Sequence, residues 1–171
     1  MTAPPTLSAR SIVRSRRRAA FAEVVTGRLE VPVPSCPGWT LADLTWHVAE
    51  VNYFWGNIVE HRHAEPHFVA DPSRPDEANL LEGYRRELAH LERVLATADP
   101  DARHWTWSHQ RDTAFVIRRM ANEMAIHLWA ARNAVGERGP IPTALAADGI
   151  DEFLGHFAPD RSDGAPPVGG R

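Results

Sequence analysis

Proline placement constrains this chain more than any other feature. The stretch VPVPSCPGW, residues 31–39, holds three prolines. Each fixes φ and removes a backbone donor, so no helix passes through it. Pro66, Pro72 and Pro75 impose a second break over residues 62–76, and ADPDAR a third at residues 98–103. Between the breaks, apolar residues recur at helical spacing. Ile12, Ala19, Ala20, Val24 and Leu29 predict a helix over Ser8–Glu30, with Gly27 weakening its end. Thr40 has N-cap chemistry, with Asp43 three residues on. It opens a helix from Leu41 to about His61, striped by Leu44, Val48, Val51, Trp55 and Ile58. A third helix is expected from Glu77 to about Ala98, with Leu80, Leu81, Tyr84, Leu88, Leu91 and Leu95 inward. Residues 104–112 alternate in a strand-like way but are too few, and read as loop. Thr113–Val135 predicts a fourth helix, stopped by Gly136, and a short one follows over Thr143–Phe157.

The expected fold is an all-α antiparallel four-helix bundle with a short extra C-terminal helix. Residues 1–158 form its single domain. Residues 159–171, rich in Pro, Gly and polar groups, are expected to be a disordered tail. The two central loops are long for a plain bundle, and long loops often carry function.

Composition removes several functions. A length of 171 residues fits one domain. A net charge of −3 supplies no field for nucleic acid. No run approaches the roughly 18 apolar residues of a membrane span. Arg14, Arg16, Arg17 and Arg18 precede an apolar run that stops at Glu23, too short for a signal peptide. They read as a solvated helix face, and the protein as cytoplasmic. Cys36 is the lone cysteine, which excludes an internal disulfide and a Cys-based zinc site. Lying between Pro34 and Pro37 and close to Trp39, it reads as a packed thiol.

The chemistry concentrates on the second and fourth helices. His47 falls inside the apolar stripe of the second. On the fourth, Val116, Met120, Met124, Ala131 and Ala134 define the buried face. Glu123 and His127 lie within about 30° of its centre at about 100° per residue, and four apart they are neighbours. A buried carboxylate costs several kcal/mol unless compensated, so Glu123 demands a partner. A divalent metal shared with His47 and His127 is one answer: two His and one Glu suit zinc and leave a position open. Arg119, four residues before Glu123, is the other, with each His then a hydrogen-bonded core residue. The Glu-x-x-x-His spacing recurs at Glu152 and His156, as chance allows with twelve Glu and nine His. His61, His63 and His67 read as exposed loop, Trp105 and Trp107 as staples of their loop to the bundle. No Ser-His-Asp order can be built.

VPSCPGWTLADLTWHVAEV, residues 33–51, resembles the helix-entry signature of the mycothiol-dependent maleylpyruvate isomerase metal-binding domain. FVIRRMANEMAIHLWAA, residues 115–131, resembles that family's fourth-helix signature, and DGIDEFL, residues 148–154, the stretch that closes the domain. The resemblance places the chain among DinB-like (YfiT-like) four-helix-bundle metalloproteins. It implies His47, Glu123 and His127 as the metal ligands, usually of zinc. The chain departs from the family at Asn122, where His is frequent, at Leu128, where a basic residue is common, and at Ala130, where Asp is frequent. Two-domain members continue into a thiol-binding C-terminal domain, for which few residues remain after DGIDEFL.

Three functions follow as expectations. In the first, the metal activates a small thiol, mycothiol by resemblance, and the thiolate attacks a small electrophile, giving isomerisation or S-transfer. Arg118 or Arg119 could then hold a substrate carboxylate, or serve only in ion pairs. The second is a non-catalytic metal-binding bundle with a structural or sensor role. The third is metal-dependent hydrolysis, for which no general base is evident beyond Glu123.

Overall fold

A computed structural model of the chain describes residues 20–158. Residues 8–19 of the first expected helix, the Arg14–Arg18 cluster and the 159–171 tail lie outside the described residues. Among the described residues there are helices and no strands. Residues 20–25 are helical and are called α1. They stop earlier than the expected Glu30. Thr26 Oγ1 bonds back to the Ala22 carbonyl at 2.6 Å, and Gly27 turns the chain at φ 70°, a left-handed conformation that suits glycine.

The proline stretch folds back on itself. Val33 donates to the Trp39 carbonyl at 2.9 Å and Leu41 to that of Val31 at 2.9 Å. This delivers Thr40 to the head of α2, Leu41–Glu60. Thr40 Oγ1 accepts from the Asp43 amide while the Thr40 amide donates to Asp43 Oδ2 at 2.8 Å, a reciprocal capping box. The Thr40 amide, with help from Arg74 at 2.7 Å, holds the Asp43 carboxyl below its usual value.

The third helix, α3, spans Leu80–Thr97 and starts three residues later than expected. Asp76 Oδ1 takes both the Asn79 amide at 3.0 Å and its Nδ2 at 2.7 Å. This side-chain turn competes with the first helical turn. Asp112 caps α4, Thr113–Ala134, by accepting from the Phe115 amide at 2.9 Å. Arg103 and Asp112 form one isolated bridge, so residues 104–112 remain a loop. The C-terminal helix, α5, covers Thr143–Glu152 and continues as a π-helical turn over Phe153–Phe157.

Two apolar clusters show how the helices run. One joins Leu44 and Val48 of α2 to Tyr84 of α3 and to Met124, Leu128 and Ala131 of α4, with Phe21, Val24 and Val25 of α1. The other joins Trp55, Ile58 and Val59 to Leu91, Val94 and Leu95, and to Phe115, Val116 and Met120. The first half of α2 thus meets the first half of α3, and the later halves meet likewise. Glu60, at the end of α2, bonds His90 at 2.8 Å and Arg93 at 3.1 Å. So α2 and α3 lie side by side in the same direction, and α4 runs antiparallel to both. Helix α2 has 20 residues, about 30 Å at 1.5 Å per residue. The connection over residues 61–79 must return that distance, which explains its length. The expected antiparallel order holds for α4 against its neighbours; the long crossover sets the direction of α3.

Trp105 stacks on Trp55 at 6.1 Å, and Trp107 packs edge-on against Phe115 at 5.1 Å. Both pin the loop to the second cluster. Helix α5 packs on α4 with its acidic side inward. Glu152 is buried, whereas Ile150, Phe153 and Leu154 are more than half exposed. No helix among the described residues is long and apolar enough to cross a membrane.

Because the capping box sets the start of the helix that carries His47, Thr40→Ala is expected to lower unfolding free energy by about 1 kcal/mol. Urea titration reads this directly, and a midpoint equal to the wild type would show that the box contributes nothing.

Candidate metal centre

Antiparallel packing sets the first half of α2 against the second half of α4. His47 thereby meets His127, ring edge to ring face, at 4.9 Å between centroids. One turn earlier on α4 stands Glu123, as the four-residue spacing requires. Each of the three offers a ligand atom within 4.8 Å of the others. Among the described residues no other group of His, Cys, Asp or Glu converges in this way. Trp39, from the proline turn, packs on His47 at 5.3 Å.

The carboxylate of Glu123 is held at both oxygens. Arg119 Nη2 donates to Oε1 at 2.8 Å, and His127 Nε2 lies 2.6 Å from Oε2. Burial alone would push the Glu123 carboxyl up. The His127 hydrogen bond and the Arg119 charge, with smaller help from the charges of His127 and His47, outweigh it and bring the value to about 2. Glu123 is therefore an anion at neutral pH. Burial, and then the charge of His127, hold His47 below its ordinary value, while Glu123 pulls the other way. A neutral imidazole is the form that binds metals.

The donor set fits a divalent ion. Two imidazoles and one carboxylate are a three-ligand set that leaves a position open, the arrangement of catalytic zinc sites. Within these three side chains, one buried atom lacks a partner. His127 Nδ1 has no hydrogen bond, its Nε2 being engaged by Glu123. Buried polar groups are nearly always satisfied, so the ring is held by one nitrogen only.

The remaining sequence candidates separate. The rings of His61 and His63 lie 5.4 Å apart at the end of α2, and His67 packs on Phe68 at 4.3 Å. These three converge on no common point. Cys36 is partly buried against the first cluster. Arg118 is engaged by Asp148 at 3.2 Å and Asp151 at 2.6 Å. Arg119 is buried between Glu123 and Glu152, the latter at 2.7 Å. Both arginines are therefore used in ion pairs.

Sequence reasoning passed over Glu152. It is 1% exposed and accepts from Arg119 and from Asn122 Nδ2 at 2.9 Å. A signal existed: Asp148, Asp151 and Glu152 lie at helical spacing, matching the adjacent cations Arg118 and Arg119. The exposed apolar side chains of Ile150, Phe153 and Leu154 on the same helix point the opposite way and mask it. His156, on the same turn, pairs with Ser108 Oγ at 2.6 Å.

No curated protein and no solved structure matches the chain. The profile of the mycothiol maleylpyruvate isomerase N-terminal domain matches residues 12–132, which include His47, Glu123 and His127. By the extent of that match, the chain belongs to the mycothiol maleylpyruvate isomerase N-terminal domain family.

Proposed function

We propose that this chain binds a divalent metal ion, zinc by its donor set, through His47, Glu123 and His127, and that the site serves thiol chemistry on small electrophiles. The convergence of three donors, one an ionised carboxylate, carries the metal reading. Membership of a mycothiol-related family supports mycothiol as the thiol. When bound, such an ion lowers the pKa of a thiol in its open position, so that the thiolate becomes the abundant form at neutral pH.

The protein's own residues prepare the site. Burial keeps His47 neutral and ready to donate a lone pair. His127 sits one helical turn from Glu123, so a single element positions two of the three donors. Arg119 holds Glu123 Oε1 and leaves Oε2 facing the imidazoles. Such partners of a ligand restrict its orientation, and their loss commonly costs 10–100-fold in affinity, an order-of-magnitude range. Trp39 covers one side of His47 and limits water there.

Metal analysis of protein purified without chelator tests the reading. The wild type is expected to carry about one equivalent of divalent metal, and His47→Ala and His127→Ala to bind at least about 100-fold more weakly, in line with losing one of three donors. A wild type that binds no metal at micromolar concentration would sink the proposal. Supplying mycothiol with a panel of electrophiles then tests the thiol step. Turnover no greater than that of metal-free protein would rule it out.

Acid is expected to strip the metal. Protons compete for the imidazoles, so affinity falls as pH drops through the histidine pKa values. Because His47 is held below its ordinary 6.5, its own competition sets in only below that pH. Competition titrations between pH 5 and 8 should show affinity declining mainly in the acid part of the range. An affinity independent of pH would exclude histidine ligation.

A further inference from the structure

A line of buried charge runs from the candidate metal centre into α5. Glu123 Oε2 meets His127 Nε2 at 2.6 Å, and Glu123 Oε1 accepts from Arg119 Nη2 at 2.8 Å. Arg119 Nη1 then donates to Glu152 Oε2 at 2.7 Å, with Asn122 Nδ2 on the same oxygen at 2.9 Å. Arg119 is 8% exposed and Glu152 1%. One guanidinium is thus shared by two carboxylates. Burial pushes the Glu152 carboxyl up, while the Arg119 charge and the Asn122 hydrogen bond pull it down; with it ionised and the imidazoles neutral, as ligation requires, Glu123, Arg119 and Glu152 sum to one negative charge. Interior charges interact far more strongly than exposed ones, so that surplus is felt at the ligand atoms.

Without Glu152, Arg119 and Glu123 would form a neutral pair, and the carboxylate would offer a cation much less. We infer that Glu152 is a positioning residue for the metal centre: it draws on Arg119 from the far side, so that Arg119 orients Glu123 without cancelling its charge. This rests on the metal-binding reading of His47, Glu123 and His127. Two further observations favour such a role over simple cohesion. Glu152 Oε1 and Arg119 Nε are both buried without a hydrogen-bond partner. A buried ion pair left partly unsatisfied is a poor source of stability. The Arg119 guanidinium also lies 5.4 Å from the centre of the Phe157 ring, which leaves it little room to turn away. Glu152 stands beyond the 12–132 family match, so α5 supplies this contact from outside the matched residues.

Competition of Co2+ between the full-length protein and a chromophoric chelator provides the test, with the visible spectrum of bound Co2+ recorded in parallel. Glu152→Gln keeps shape and hydrogen bonding but removes the charge, and is expected to bind Co2+ about tenfold more weakly than the wild type. Glu152→Asp keeps the charge and should stay within about threefold, a rescue that packing alone would not give. Equal affinity for Glu152→Gln and wild type overturns this inference and leaves the metal centre standing. Failure of the wild type to bind Co2+ overturns both. Circular dichroism checks the fold. Should Glu152→Gln not fold, Arg119→Lys tests the same bridge, since one ammonium cannot span both carboxylates as the guanidinium fork does. It too is expected to lose about tenfold, and an unchanged affinity and Co2+ spectrum would overturn the inference.

Discussion

A carboxylate on the inward face of α4 is the constraint around which the rest is arranged. Glu123 cannot stand in the bundle as an isolated charge, because desolvation opposes its ionised form. The helix answers locally, with Arg119 one turn before and His127 one turn after. The wider fold answers by bringing His47 across from α2. Arg119 and a metal ion were alternative partners for Glu123 when only the sequence was considered. The geometry makes them compatible: Arg119 takes one oxygen, and the other faces the histidines.

The direction of the helices makes that meeting possible. With α4 antiparallel to α2, a position in the first half of α2 faces one in the second half of α4. The parallel run of α2 and α3 leaves α4 to close the first cluster over the donors, and the long crossover is what permits it. Around the other end, Trp55, Trp105, Phe115 and Trp107 form a continuous aromatic wall. The two ends therefore differ in character: one is apolar and closed by a loop, the other holds the polar donors.

Helix α5 reverses the usual amphipathic rule. Its carboxylates face α4 while Ile150, Phe153 and Leu154 face outward. Arg118, Arg119 and Asn122 present so many donors on that face of α4 that an acidic helix side is the better match. Hydrophobic periodicity finds the helix but points it the wrong way, because it does not weigh charge already buried on the neighbour.

Local rules determined much of this protein from its sequence. Proline breaks and apolar spacing located α2, α4 and α5 nearly to the residue at their starts, since caps and period act over a few neighbours. The same periodicity placed Glu123 and His127 together on one buried face, and His47 on another. Where short-range side-chain bonds competed, as with Asp76 before α3 and Thr26 after α1, the boundaries shifted. Only the tertiary structure decided that His47 lies against His127, that α3 runs parallel to α2, and that Glu152 reaches Arg119 from 33 positions away in the chain. These depend on how helices pack against one another, and a pattern read along one helix carries no information about the face that meets it.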